Sequence, residues 1–237
     1  MSPVAGHNLG GGTSLAVIPA RGGTVRVPGK NIADFDGHPA IARVISIARD
    51  SGVFDHIAVS TDDQAIAICA EDAGAEVVLR PKALSDGITP LQPVVVHAME
   101  DYPDSDFVCL LLATAVLLRP ERLAVAMALL GENPDLDYAI GVRRFDSPPQ
   151  RGLLLNAQGF VSMQSPQFFS ARSQDLEPMY HDAGQFSFGR REAWLSGGAS
   201  FMMRTKGIVL PRDEAIDIDE PQDLDFARLV FRARTLL

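Results

Sequence analysis

The sequence predicts an α/β protein with a Rossmann-like, mostly parallel central sheet and helices on both of its faces. Within the first eighty residues, short apolar runs at 15–18, 56–61 and 75–79 alternate with two segments of helical periodicity. This β-α-β-α-β order is typical of a parallel sheet wound with helices. The run 106–112 is nearly all apolar, which predicts a central strand that is buried on both faces.

The first two helices have recognisable ends. The first helix shows apolar residues at i, i+3, i+4 and i+7 from Ile41, and Gly52 suits the position after its end. Asp62 or Asp63 can cap the second helix, which Gly74 ends. Apolar stripes between such caps predict helices that pack on the sheet.

The next two helices are marked by prolines. Thr89 offers an N-cap for the third helix, but Pro93 would then lie awkwardly early, which favours a start at Gln92. Pro120 opens a fourth helix, which Gly131 is predicted to close. Both helices continue the winding around the sheet.

The pattern changes from Tyr138 onward. A strand at 138–144 is followed by prolines, and the segments 152–155 and 159–163 form a predicted hairpin. No long helix intervenes before Tyr180. We therefore predict a single domain over 14–237 with a small antiparallel β insertion at about 141–181, preceded by a flexible tail at 1–13.

Composition bounds the function. The chain has 237 residues, 46% of them hydrophobic, and its net charge of −9 argues against a nucleic-acid partner. Cys69 and Cys109 are far apart and lie in apolar stretches, which is typical of a reduced, cytoplasmic protein. The amino-terminal residues do not resemble a secretory signal, and no apolar run is long enough for a membrane span.

The stretch 15–32, LAVIPARGGTVRVPGKNI, is the strongest candidate for a binding site. A buried strand runs into a glycine-rich basic loop, and Gly22 and Gly23 allow the backbone to approach a polyphosphate closely. The alternative is an ordinary turn whose arginines are solvated. The side chains that can contact phosphate oxygens are Arg21, Arg26, Lys30 and Asn31.

Two further clusters contain polar side chains that can bind a metal ion or a polar ligand. Asp217 and Asp219 are two residues apart, so on an extended backbone both side chains face the same way and can hold Mg²⁺. The alternative is that Asp219 or Glu220 caps the last helix. The second cluster can bind carboxylate, hydroxyl or acetamido groups, or can form a simple turn network; it contains Arg172, His181, Asp182 and Gln185.

Several strings resemble one enzyme family. IPARGGTVRVPGKNI resembles the IPARGGSKxxPxKN signature of the CMP-sialic acid synthetase family, with Thr24 for the usual serine and Val25 for the usual lysine. DIDEP matches the pattern of the family's metal-binding aspartates, and RSQDL and YHDAGQF are similar to the branch that acts on pseudaminic acid. The chain departs at 113–115, Ala-Thr-Ala, where sialic acid synthetases commonly have Gln-Pro-Thr-Ser-Pro.

The resemblance implies a nucleotide-diphospho-sugar transferase type of fold, CTP and a nine-carbon sugar acid as substrates, and Mg²⁺ as cofactor. It also implies a homodimer formed through the insertion; a solvated β-flap on a monomer is the alternative. The implied nucleotide-binding residues are Ala20, Arg21, Gly22, Gly23, Thr24, Arg26, Lys30, Asn31, Arg80 and Thr89. The implied sugar-binding residues are Arg172, Gln174, His181, Asp182, Gln185 and Phe186. The implied metal ligands are Asp217 and Asp219, and the implied catalytic residues are Arg21, Lys30 and Asp219.

The implied reaction is CTP plus pseudaminic acid giving CMP-pseudaminic acid and diphosphate. Either Asp219 or a metal-bound water would take the proton of the attacking hydroxyl. For Arg80, the residues alone favour a solvated cation at a strand end. The sugar can instead be N-acetylneuraminic, legionaminic or an octulosonic acid, and a non-catalytic nucleotide or sugar sensor is the alternative from another class.

Overall fold

The computed structural model describes residues 12–23, 27–198 and 200–236. Its strands are β1 (Thr13–Pro19), β2 (Asp34–Phe35), β3 (His38–Pro39), β4 (His56–Thr61), β5 (Glu76–Leu79), β6 (Ser105–Leu111), β7 (Tyr138–Arg144), β8 (Leu153–Leu155), β9 (Val161–Met163), β10 (Tyr180–Arg190) and β11 (Thr205–Val209). Its α-helices are α1 (Ala40–Asp50), α2 (Gln64–Asp72), α3 (Leu91–Met99), α4 (Pro120–Glu132), α5 (Arg191–Leu195) and α6 (Pro221–Thr235).

Seven strands form the central sheet in the order β11-β7-β10-β6-β1-β4-β5. The pairs β1–β4, β1–β6, β4–β5 and β7–β11 are parallel, whereas β10 is antiparallel to both β6 and β7. The carboxyl ends of β1, β6 and β7 therefore lie at the same sheet edge as the amino end of β10. The predicted mostly parallel sheet is confirmed.

Apolar side chains cover both faces of the sheet. In β1, Ala16 and Ile18 pack into one cluster with α1, α2, α4 and α6, while Leu15 and Val17 pack into a second cluster with α3 and α5. A strand covered on both faces carries a continuous apolar run, because neither face meets water. The predicted helices on both faces are confirmed.

The predicted helix caps of α1 and α2 are confirmed. Gly52 follows the end of α1 with φ 67° and Gly74 follows α2 with φ 82°. The Asp63 carboxylate accepts hydrogen bonds from the Ala65 and Ile66 backbone N–H groups at 2.8 and 3.1 Å, which caps α2. These local signals act as the sequence predicts.

Two predicted helix boundaries were wrong. Helix α3 begins at Leu91 and includes Pro93 in its first turn, where the missing N–H would have no intrahelical partner. Helix α4 continues through Gly131 to Glu132. Strand β10 spans eleven residues and contains the part of the predicted sugar-binding cluster from His181 to Phe186.

The chain leaves the central sheet between β7 and β10. In this segment, 145–179, β8 and β9 form an antiparallel hairpin, and the Asn156 carboxamide oxygen accepts from the Gln158 and Phe160 N–H groups in its turn. We call 145–179 the insert. The range of about 141–181 that the sequence indicates for it includes the end of β7 and the start of β10.

The described cysteines and helices add two observations. Cys109 is buried, Cys69 is half-buried, and both are free thiols. Within the described ranges, none of the helices combines the length and the apolar character needed to cross a bilayer.

Candidate active site

An open cleft of about 400 Å³ lies at the carboxyl ends of β1 and β6. It brings together six residues that the sequence singles out: Arg21, Lys30, Asn31, Arg80, Asp217 and Asp219. A larger cavity of about 760 Å³ lies against α1, α2 and α6, but its lining contains no residue of the predicted site. We therefore place the active site by its chemistry and not by cavity size. We call the cavity of about 400 Å³ the cleft.

The loop after β1 is held in place by side chains of neighbouring elements. The buried Asn31 donates from Nδ2 to the Arg21 carbonyl at 3.1 Å, and the Gly22 N–H donates to Asp62 Oδ1 at 3.0 Å. A Cβ on Gly22 would lie 2.8 Å from Asp63 Oδ2, so this close approach requires glycine. The loop is thus closed against the end of β4.

Arg80 is buried at the base of the cleft and is 7% exposed. Its Nε and Nη2 atoms donate to the Ser60 hydroxyl and carbonyl at 3.2 and 2.5 Å. Burial lowers the pKa of Arg80, and the nearby Asp62 opposes this shift. Because an arginine pKa starts far above neutrality, Arg80 stays charged. The alternative of a merely solvated cation at a strand end is wrong.

Lys30 connects the two ends of the chain. Its Nζ donates to the Ile218 carbonyl at 2.7 Å and lies 3.8 Å from Asp219 Oδ1. Ile218 is 1% exposed, and the aspartates that precede and follow it both line the cleft. The amino-terminal loop and the carboxyl-terminal carboxylates therefore meet in one place.

The last helix is capped without the Asp219 carboxylate. Glu220 and Asp223 form a reciprocal capping box at the start of α6. Asp223 Oδ2 accepts the Asp219 and Glu220 backbone N–H groups at 3.0 and 2.7 Å. Of the two capping candidates in the sequence, Glu220 has this role.

Asp217 and Asp219 supply hard oxygen donors to the cleft. Among the residues that the structure describes, no group of three or more histidine, cysteine, aspartate or glutamate side chains is arranged to hold a metal. Mg²⁺ commonly takes one or two protein carboxylates and completes its octahedron with phosphate oxygens and water. The aspartate pair fits that use.

The predicted sugar-binding cluster lies partly inside the protein. Gln185 and Phe186 are 1% and 2% exposed. The half-buried His181 places Nδ1 2.7 Å from the Asp182 carbonyl and its ring 4.8 Å from the Phe145 ring. None of these four side chains lines the cleft.

Strand β10 is irregular between Asp182 and Ser187, where its pairing with β7 shifts register. Asp182 Oδ1 accepts the Gly184 N–H at 2.9 Å, and Gly184 has φ 61°. A Cβ on Gly184 would lie 3.5 Å from Asp217 Oδ2. The irregularity thus brings the β10 backbone next to the aspartate pair.

Arg172 and Gln174 lie in the insert. Arg172 is exposed and forms a bidentate pair with Asp175 at 2.6 and 3.2 Å. Gln174 lines another cavity, of about 560 Å³, at the ends of β7 and β11. The structure does not bring these two side chains into the cleft.

The remaining predicted nucleotide-binding residues are not among the residues that line the cleft, and some of them lie outside the described residues. Ala20 is buried and donates its N–H to the Ser60 carbonyl at 2.9 Å. Thr89 is half-buried, with its hydroxyl 3.5 Å from the Ala83 carbonyl. Gly22 and Gly23 belong to the loop after β1 but are not among the lining residues. Thr24 and Arg26 lie outside the described residues.

Two contributors were missed at the sequence level. Thr114, 7% exposed, lines the cleft, and Asp62 fixes the loop through Gly22. Both follow the carboxyl ends of parallel strands, so their position at the sheet edge was the signal that could have identified them.

Residues 15–227 match the sequence model of the cytidylyltransferase family. The chain belongs to this family. A cytidylyltransferase from Campylobacter jejuni, named pseudaminic acid cytidylyltransferase, is 39% identical over 224 residues, which cover 92% of this chain and 96% of the relative. An N-acylneuraminate cytidylyltransferase from Streptococcus agalactiae is 27% identical, covering 88% of this chain and 51% of the relative.

The fold is also shared with a solved cytidylyl-transferring enzyme. A CMP:2-keto-3-deoxy-manno-octonic acid synthetase complexed with CTP superposes with a TM-score of 0.73 at 18% identity, covering 94% of this chain and 99% of the other. At this identity the likeness shows the fold alone. It agrees with the predicted nucleotidyltransferase architecture.

Proposed function

We propose that this cytidylyltransferase transfers CMP from CTP to pseudaminic acid. The observation that carries the proposal is the convergence of Lys30 with Asp217 and Asp219 in one cleft. The name of the Campylobacter relative, which matches over nearly the full length of both chains, supports the choice of sugar. The CTP bound to a protein of similar fold supports the choice of nucleotide.

In the proposed reaction, the anomeric hydroxyl oxygen of the sugar acid bonds to the α-phosphorus of CTP. The bond from that phosphorus to the bridging oxygen breaks, and diphosphate leaves with the bonding electrons. Lys30 and Arg21 stabilise the negative charge on the phosphoryl oxygens, and Asn31 and Arg80 seat the nucleotide. The hydroxyl proton passes to Asp219 or to a water molecule, since the described residues that line the cleft include no histidine.

Asp217 and Asp219 would hold Mg²⁺ as cofactor. The bound cation would neutralise charge on the triphosphate oxygens. The protein's own contribution is to hold both carboxylates at the cleft, next in sequence to the buried Ile218, whose carbonyl accepts from Lys30.

We also propose a cytoplasmic homodimer formed through the insert. Its hairpin exposes Leu153, Leu154 and Leu155 by 65%, 54% and 70%, and Val161 by 64%. Leu153, Leu155 and Val161 share one face of the hairpin, since Leu155 pairs with Val161, and an exposed apolar face of this kind is typical of a surface that another protein covers. The two free thiols agree with a reducing compartment.

Diphosphate release from CTP tests the proposal directly. We expect release with pseudaminic acid and Mg²⁺, and none when the sugar acid is omitted. Parallel reactions with N-acetylneuraminic, legionaminic and octulosonic acids identify the preferred sugar. Faster turnover with one of these would reassign the substrate. Tight CTP binding without diphosphate release from any sugar acid would instead indicate a sensor.

A further inference from the structure

A cluster of charged side chains lies behind the aspartate pair. Glu214 is fully buried, three residues before Asp217. Its two carboxylate oxygens accept from Arg122 Nε and Nη2, both at 2.9 Å, and Arg119 Nε lies 3.3 Å from Glu214 Oε1. We call these three residues the anchor cluster.

The anchor cluster joins the two walls of the cleft. Arg119, the N-cap residue of α4, lies five residues after Thr114, which belongs to one wall of the cleft, and Arg122 lies in the first turn of α4. Glu214 precedes the aspartates of the other wall. The segment that bears them is thereby attached to the start of α4.

A buried carboxylate is an expensive way to stabilise a fold, because desolvation of the charges cancels much of their attraction. What such a carboxylate does provide is a defined orientation, because the planar guanidinium of Arg122 donates to it in one bidentate geometry. The hydrogen bond to Glu214 also raises the pKa of Arg122, so this guanidinium remains charged. The pair thus fixes where the chain between Glu214 and Asp219 begins.

We propose that Glu214, held by Arg122 and Arg119, is a positioning residue for Asp217 and Asp219. It fixes their place relative to Lys30, which donates to the backbone of the same segment at Ile218. This inference rests on the proposed function, because it concerns the affinity of the Mg²⁺·CTP complex. Glu214 itself does not line the cleft.

The test is calorimetric titration of CTP into the intact protein, with and without Mg²⁺, for the wild type and three variants. Glu214→Gln should weaken Mg²⁺-dependent CTP binding by about tenfold, as for other groups that orient metal ligands. CTP binding without Mg²⁺ should stay within about twofold of the wild type, because Lys30 and Arg80 are unchanged. Arg122→Lys keeps the positive charge but loses the bidentate donor geometry, and should weaken Mg²⁺-dependent CTP binding to an intermediate extent.

Leu130→Ala is the matched control for stability. Leu130 is buried on the same helix, α4, and does not belong to the anchor cluster or line the cleft. Its truncation should lower the unfolding temperature without changing the Mg²⁺ dependence of CTP binding. All titrations are made well below the unfolding temperature of each variant.

The outcomes separate this inference from the proposed function. Wild-type affinity in Glu214→Gln, or an equal loss in Leu130→Ala, would overturn the positioning role while leaving the proposed reaction intact. A wild-type protein whose CTP binding does not respond to Mg²⁺ would overturn the proposed metal site, and the positioning role with it.

Discussion

The cleft and the insert differ in how completely one chain builds them. Around the cleft, long-range hydrogen bonds fix the parts, such as those from Lys30 to Ile218 and from Asn31 to Arg21. In the insert, contacts such as the Arg172–Asp175 pair are local, and apolar side chains such as Phe169 are 78% exposed. The proposed nucleotide site is therefore preorganised within one chain, whereas the insert presents the exposed apolar side chains of the proposed dimer surface.

The largest expected effect tests the cleft itself. Lys30→Ala should lower kcat/KM by about 10³-fold, because a cation at the developing charge is lost. The measurement is diphosphate release, with circular dichroism to confirm folding. Lys206→Ala is the control and should retain activity, because this exposed lysine donates to Asn133 Oδ1 at 3.1 Å and does not line the cleft. Near-normal turnover of Lys30→Ala would count against the assignment of the loop.

A smaller loss is expected at the aspartate pair that we propose to hold Mg²⁺. Asp217→Asn should reduce turnover by about 10²-fold and flatten its dependence on Mg²⁺, because one of two oxygen ligands loses its charge. A Mg²⁺ titration of initial rates measures this effect. Asp225→Asn, which changes an exposed carboxylate paired with Arg228 on α6, serves as control. An unchanged titration in Asp217→Asn would reject the metal site.

Alanine substitutions at two glycines with positive φ allow the cleft and the insert to be compared directly. Gly184 (φ 61°) lies beside Asp217, whereas Gly159 (φ 85°) lies in the insert, and a Cβ there would meet no described atom within 4 Å. Alanine at either site should cost about 1 kcal/mol of stability through backbone strain. Only Gly184→Ala should also lower kcat/KM, by about tenfold, because the strained backbone would shift beside Asp217, whose carboxylate lies in van der Waals contact with the new methyl group.

Urea unfolding and initial rates separate these two effects. An equal activity loss in both glycine variants would show that strain alone, and not contact with Asp217, controls turnover.

The smallest expected effect on nucleotide binding comes from the insert. Leu155→Ser should leave CTP affinity within about twofold of the wild type, because the hairpin contributes no residue to the lining of the cleft. Self-association should weaken by about tenfold, because an apolar side chain is lost from the interface. Sedimentation measures association. A wild-type protein that is monomeric at micromolar concentration would contradict the proposed dimer.

The sequence predicts the first half of the fold well because its signals are local. The capping of α2 by Asp63 and the apolar run of β1 need no distant information. The length of β10 was missed because glycines and polar residues interrupt its alternation, and its pairing with β6 and β7 is long-range.

The candidate site was predictable to the extent that its chemistry lies in short strings. Lys30 and Asp219 could each be proposed from such strings, and the structure places them 3.8 Å apart. The attachment of Glu214 to Arg122 could not be found in this way, because 92 residues separate the two. In the sequence alone, a buried glutamate cannot be distinguished from an exposed one.

The reversed direction of β10 has a consequence for protein engineering. Tyr180 pairs with Arg144, and the Phe145 N–H donates to the Met179 carbonyl at 3.1 Å, so the insert leaves and rejoins the sheet at adjacent points. The length of such a segment can therefore change without moving the strands on either side. Exchanging 145–179 between relatives would replace Arg172 and Gln174 of the predicted sugar-binding cluster while leaving Lys30 and the aspartate pair of the cleft unchanged.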